Sequence, residues 1–277
     1  MSFFTLQNGE KLYYEITGEG EHTVLMLHGW TSTHEVFEPV LPAICEKVRC
    51  ITYDQRGHGN SKDANREHVT MDTLASDLDE LIRGLDLHDI TLLGWSMGAG
   101  VCLNYMSVYG CDALREVVLC DMTPMQLNDE NWQLGLYQGK YTRQDMERGA
   151  GRDFYSTYKE FSIGAIPKLA KIPGFLLKKP LMERLSVCDE GVLRSLGTDM
   201  KVKDYRDSVE KITVPVCYFY AVPGSLYSPA LAQWYREHVR TAYRAVPFQK
   251  STHMLITDHP DEFAQELIKV IEGRAFS

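Results

Sequence analysis

Residues 94–98 read Gly-Trp-Ser-Met-Gly, and they constrain the fold of this chain more than any other stretch. Upstream, Asp89-Ile90-Thr91-Leu92-Leu93 is a β-branched and leucine run suited to a buried strand. Downstream, residues 99–106 place small and apolar side chains at helical spacing. A strand that turns sharply into a helix strains the residue at the turn, and the positions two before and two after it must lack bulk. Gly94 and Gly98 meet that requirement. Such a turn lifts the Ser96 hydroxyl into a pocket at a helix N-terminus, where backbone N–H groups favour negative charge. Ser96 is therefore the candidate nucleophile.

The rest of the chain alternates between strand and helix patterns. Residues 3–6 and 12–16 resemble a hairpin around Asn8-Gly9. Short apolar runs at 23–27, 49–53, 116–120, 215–220 and 242–246 suit strands covered on both faces. Helical patterns fall at 34–45, 70–84, 97–109, 228–239 and 260–273. Thr70 and Asp72 are candidate caps of the second helix, and Pro260 fits the first turn of the last. This order predicts an α/β protein with a mostly parallel sheet and helices on both faces. Between 124 and 209 the rhythm breaks into short helical patterns at 131–137, 152–161, 166–177 and 180–186. The expected organisation is a core of residues 1–123 and 210–277 with a helical cap inserted at 124–209. The basic, apolar stretch 163–179 is expected to pack an apolar face on the core with its lysines in water, and membrane contact is not expected.

Composition narrows the partners. The net charge of −9, with scattered basic residues, argues against nucleic acid. Seven cysteines without metal-ligand spacing read as reduced thiols, and no two histidines have ligand spacing with a carboxylate, so neither a metal nor another cofactor is expected. No run of 18 apolar residues and no leader-like N-terminus is present, which points to the cytoplasm.

His28-Gly29-Trp30, residues 53–61 (Tyr-Asp-Gln-Arg-Gly-His-Gly-Asn-Ser), the 94–98 turn and Thr252-His253-Met254 together resemble the α/β-hydrolase fold family over nearly the whole chain outside the cap. From residue 28 to about 110 the chain is most similar to the cofactor-free haloperoxidase, perhydrolase and arylesterase branch. The resemblance implies that His253, in a loop after the last strand, is the general base for Ser96. It also places the backbone N–H donors for an oxyanion on Met97 and Trp30. His28, His58 and Asp54 read as hydrogen-bonding scaffold, and His259 as a cap of the final helix. Thr252 stands where the family usually has glycine.

The acid departs from the family pattern. The loop 221–229, where an aspartate is usual, contains no Asp or Glu. Asp121, at the end of the strand after the one that carries Ser96, is the replacement candidate. Its other reading is a cap on the turn before Pro124. Asp199, Asp204 and Asp207 are weaker rivals, and Asp258 is too near His253 in sequence.

A serine nucleophile argues against haloalkane dehalogenase and epoxide hydrolase chemistry, and the absence of an HGGPG run argues against proline iminopeptidases. The expected function is a serine hydrolase acting on a small ester or thioester with an uncharged acyl group, through an acyl-enzyme. Cap aromatic residues, Trp132 and Tyr158 among them, suggest an apolar or aromatic substrate. Two alternatives remain open: C–C bond hydrolysis or perhydrolysis on the same residues, and a non-catalytic ligand-binding protein.

Overall fold

The computed structural model describes residues 2–62 and 69–276. Eight strands run β1 (Ser2–Thr5), β2 (Lys11–Thr17), β3 (Thr23–Leu27), β4 (Arg49–Tyr53), β5 (Ile90–Trp95), β6 (Leu114–Cys120), β7 (Val216–Val222) and β8 (Tyr243–Gln249). They form one sheet in the order β1-β2-β4-β3-β5-β6-β7-β8. The β1–β2 hairpin and the β2–β4 pair are antiparallel, and every later pair is parallel.

The wholly apolar strands follow from burial on both faces, since successive side chains point to opposite sides. In β3, Leu25 and Leu27 join the apolar layer that holds the helices Met71–Gly84 and Met97–Tyr109. Val24 and Met26 join the opposite layer, with Phe37 and the helix Pro260–Ile271. Thr70 caps the helix Met71–Gly84 reciprocally with Thr73, as its side chain predicts. Asp72 is not a cap. Its carboxylate accepts from Asn104 and Lys203 instead. His259 stands at the N-cap of the last helix, but its side chain makes no capping bond.

Between β6 and β7 the chain inserts the helices Arg143–Gly149, Phe154–Ala165, Gly174–Ser186 and Glu190–Val202, with shorter turns between. Their buried side chains, including Leu181, Leu185, Val192 and Leu196, share one apolar cluster with Trp30 and the sheet. Several local expectations fail here. Residues 131–135 are not helical, and Leu136–Gly139 is a single turn with Tyr137 and Gln138 in left-handed dihedrals; the Asn128 side chain takes the Gly135 N–H and the Leu136 carbonyl. Residues 34–45 divide into a 3₁₀ turn, His34–Phe37, and a single helical turn, Leu41–Ile44. The stretch 166–177 breaks at Pro173, which precedes the helix that begins at Gly174. Within 163–179 only Ala165 and Leu177 are buried, while Phe175 is 79% and Leu176 55% exposed. That stretch therefore does not present one inward apolar face. No helix among the described residues is long and apolar enough to cross a membrane.

Candidate active site

Ser96 lies at the joint between β5 and the helix Met97–Tyr109, with φ 55° and ψ −122°. Few non-glycine residues adopt a positive φ, and here the surroundings enforce it. The Ser96 N–H donates to Cys120 O at 2.9 Å. A Cβ on Gly98 would stand 2.2 Å from Leu27 O, and one on Gly94 would stand 2.4 Å from Gly98 O. Neither position can carry a side chain while strand and helix approach this closely.

His253 follows β8 in a short loop and is 2% exposed. Its Nε2 is 2.8 Å from Ser96 Oγ, and its Nδ1 is 2.7 Å from Asp121 Oδ2. A carboxylate only accepts, so the Nδ1 proton donates to Asp121 and the bare Nε2 accepts from the Ser96 hydroxyl. Asp121 sits just past β6 with φ 46°, and its N–H donates to Phe219 O of β7 at 2.8 Å. The turn-cap reading of Asp121 is not what its side chain does: both its oxygens face the β7 side of the site. Asp199 accepts from Met71 N and Asp204 from Arg206, so neither reaches His253.

Three supporting side chains have no local sequence signal. Ser225, in the loop without an acid, donates to Asp121 Oδ2 at 2.5 Å, the same oxygen that His253 uses. Trp95 Nε1 donates to His253 O at 2.9 Å, so the residue before the serine holds the backbone of the imidazole. Asp258 accepts from both the N–H and the hydroxyl of Thr252, each at 2.7 Å. Threonine in place of glycine thus closes the His253 loop onto Asp258. The His253 N–H also reaches the insert, donating to Ala165 O at 3.1 Å.

The His28-Gly29-Trp30 loop faces Ser96. A Cβ on Gly29 would stand 3.1 Å from Ser96 Cβ, a tighter contact than most, so the absence of a side chain eases this approach. His28 Nε2 accepts from Gln55 N at 3.0 Å, which leaves the Nδ1 proton to donate to Gly29 O at 2.8 Å. That bond turns the Gly29 carbonyl toward His28 and the Trp30 N–H the opposite way, because the two are antiparallel in a trans peptide. The backbone N–H groups of Trp30 and Met97 have no acceptor among the described residues. Burial pushes His28 below the usual histidine range and His58 down to about 3, so both are neutral scaffold. Asp54 is opposed by burial, yet hydrogen bonds from His34 and Asn60 hold it below the carboxylate range.

A cavity of about 50 Å³ opens beside Ser96 and His253, walled by Trp30, Phe161, Leu169 and Leu181. A larger one of about 650 Å³ lies beyond Trp30 and Phe161 and does not touch Ser96.

A mostly parallel sheet, a strained serine at a strand–helix joint, and an aspartate and histidine on later strand ends define the α/β-hydrolase fold. The chain has that fold. The family model described as alpha/beta hydrolase fold matches residues 22–158. The chain is 34% identical over 134 residues to the non-heme chloroperoxidase CPO-A1 of Kitasatospora aureofaciens, covering 47% of this chain and 48% of that relative. It thus spans about half the length of that chloroperoxidase. A pimeloyl-[acyl-carrier protein] methyl ester esterase of Nitrosomonas europaea is 22% identical over 91% of this chain and 96% of its own length. Among solved structures, an esterase from Exiguobacterium antarcticum superposes with a TM-score of 0.83 at 26% identity, over 98% of this chain and 99% of that one. A bromoperoxidase from Bacillus anthracis gives 0.80 at 26% identity, over 96% of this chain and 97% of the other. The haloperoxidase-like resemblance read from residues 28–110 agrees with these relatives.

Proposed function

We propose that the protein is a serine hydrolase that cleaves a carboxylic ester or thioester through an acyl-enzyme on Ser96. The observation that carries this reading is the unbroken hydrogen-bonded chain from Ser96 Oγ through His253 to Asp121. A serine hydroxyl is a weak nucleophile at neutral pH and needs a base in contact with it. As Ser96 Oγ bonds to the substrate carbonyl carbon, its proton passes to His253 Nε2. Asp121 keeps the imidazole in the required tautomer and balances its positive charge. The carbonyl oxygen becomes an oxyanion, held by the N–H groups of Met97 and Trp30. The tetrahedral species collapses, the bond to the leaving alcohol or thiol breaks, and His253 returns the proton to that group. Water then gives a proton to Nε2, attacks the acyl carbon, and releases the acid as Ser96 recovers its proton.

The insert at 124–209 acts as a cap: its Phe161, Leu169 and Leu181 wall the cavity beside Ser96. The seven unpaired cysteines, six of them buried, suit a reducing cytoplasm. A second reading is supported by the haloperoxidase relatives. Hydrogen peroxide in place of water would attack the same acyl-enzyme and release a peroxy acid.

Initial rates on 4-nitrophenyl esters from acetate to decanoate test the proposal. Turnover should fall roughly 10⁴-fold or more in Ser96→Ala. Equal, near-background rates for both proteins would refute it.

A further inference from the structure

The large cavity is amphipathic. Its inner wall is apolar, with Trp30, Phe154, Phe161 and Leu193, and its rim carries five cationic side chains against three carboxylates. This local excess of positive charge stands in a chain whose net charge is −9. Three of the cations are already engaged: Arg148 pairs with Asp145, Arg152 with Glu160 and Arg194 with Glu190. Lys140 is exposed. Lys201 is different: it is half-buried, its Nζ lies 5.3 Å from the centre of the Tyr141 ring, and no carboxylate among the described residues is within ion-pair distance. Burial holds its ammonium below the usual lysine range, with the Glu160 charge acting the other way. A half-buried cation without a counter-ion is costly to maintain, and an anion entering the cavity would offset that cost.

The cavity adjoins the Ser96 cavity through only two side chains, Trp30 and Phe161. Trp30 is fixed, since its Nε1 donates to Leu193 O at 3.0 Å and the rings of Phe154, Tyr158 and Phe161 box it in. Phe161 has no such anchor, and its ring also faces His253 with centroids 6.4 Å apart. An acyl chain leaving Ser96 past Phe161 would enter this larger cavity, whose lining includes Phe154, Leu193 and Lys201. At about 650 Å³ the space is of the size that holds a small organic ligand.

We propose that this cavity is the distal acyl subsite for esters whose far end bears a carboxylate, and that Lys201 binds that carboxylate. The proposal rests on the serine hydrolase reading, and it replaces the uncharged acyl group expected from sequence. One half-buried, unpaired cation matches one negative charge, so a monocarboxylate terminus suits the site.

The test compares mono(4-nitrophenyl) suberate with 4-nitrophenyl octanoate, acyl chains of equal length that differ in the terminus. The wild type should favour the suberate ester in kcat/KM, chiefly through KM. Lys201→Gln should lower that preference at least about tenfold, the scale of a charged hydrogen bond. Lys201→Arg should retain it. No preference in the wild type, or the same preference in Lys201→Gln, would overturn the proposal. A second measurement needs no turnover: calorimetric titration of free suberate into Ser96→Ala and into Ser96→Ala/Lys201→Gln. Binding at least about tenfold weaker in the double variant is expected, and equal or absent binding in both overturns the subsite. Suberate binding that depends on Lys201 in a protein that hydrolyses no ester would instead remove the hydrolase reading and leave the subsite standing.

Discussion

Asp121 Oδ2 serves two donors at once, His253 Nδ1 at 2.7 Å and Ser225 Oγ at 2.5 Å. On the proposed mechanism the first bond sets the tautomer of the base, and the second keeps the carboxylate oriented. Asp121→Asn offers an amide where the imidazole needs an acceptor, and kcat should fall roughly 10³–10⁴-fold. Ser225→Ala removes one of two donors and leaves the charge, so a smaller loss, about 3–10-fold in kcat/KM, is expected in the same steady-state assay. A loss in Ser225→Ala as large as in Asp121→Asn would contradict this division of roles. Ser96 and the His253 loop are legible in the sequence because a strand–helix turn and a final strand–loop–helix leave local patterns. Asp121 is legible only as the end of a strand. Ser225 and Trp95 leave no signal, because their partners depend on which strands become neighbours: Asp121 is 104 residues from Ser225, and His253 is 158 from Trp95.

At the scale of elements, the loop after β4 ties the site to the helix Met71–Gly84. Arg56 donates to both oxygens of Asp77 at 2.9 and 2.7 Å, with side chains only 4% and 6% exposed. The adjacent Gln55 holds both His28 Nε2 and His28 O. Asp77→Asn would leave a buried guanidinium without its counter-charge, at a cost of about 3–5 kcal/mol. Chemical denaturation measures that loss directly, and a change below about 1 kcal/mol would show that the pair is dispensable. The strands were readable because burial on both faces produces short, uninterrupted apolar runs. The insert was readable in part: the patterns at 152–161 and 180–186 fall on the helices Phe154–Ala165 and Gly174–Ser186, while the backbone after Asn128 is organised by that side chain rather than by periodicity. The helix Glu190–Val202 also carries a sequence signal: Asp189 caps it, and Val192, Leu193, Leu196 and Met200 are its buried side chains.

For the whole molecule, buried neutral histidines make stability depend on acidity. His58 has its pKa lowered from 6.5 to about 3 by burial, and His28 is lowered for the same reason. Between pH 6.5 and about 3 the unfolded chain takes up a proton at residue 58 that the folded chain refuses, so stability falls with pH across that window. One such group contributes up to about 1.4 kcal/mol per pH unit. His34 runs the other way: burial opposes its charge, but Asp54 raises its pKa, so its contribution is present at low pH and fades above the usual histidine range. Thermal unfolding from pH 7 to 4 should therefore give a steadily falling Tm, with a shallower slope in His58→Asn. An unchanged slope in that variant would assign the acid sensitivity to other groups. The central claim, that Ser96 is a nucleophile activated by His253, is tested most directly by mass spectrometry after treatment with a fluorophosphonate, which phosphonylates activated serines. The account predicts a single adduct on the peptide containing Ser96, absent in Ser96→Ala and formed far more slowly in His253→Ala. No adduct at Ser96, or equally fast labelling without His253, would contradict it.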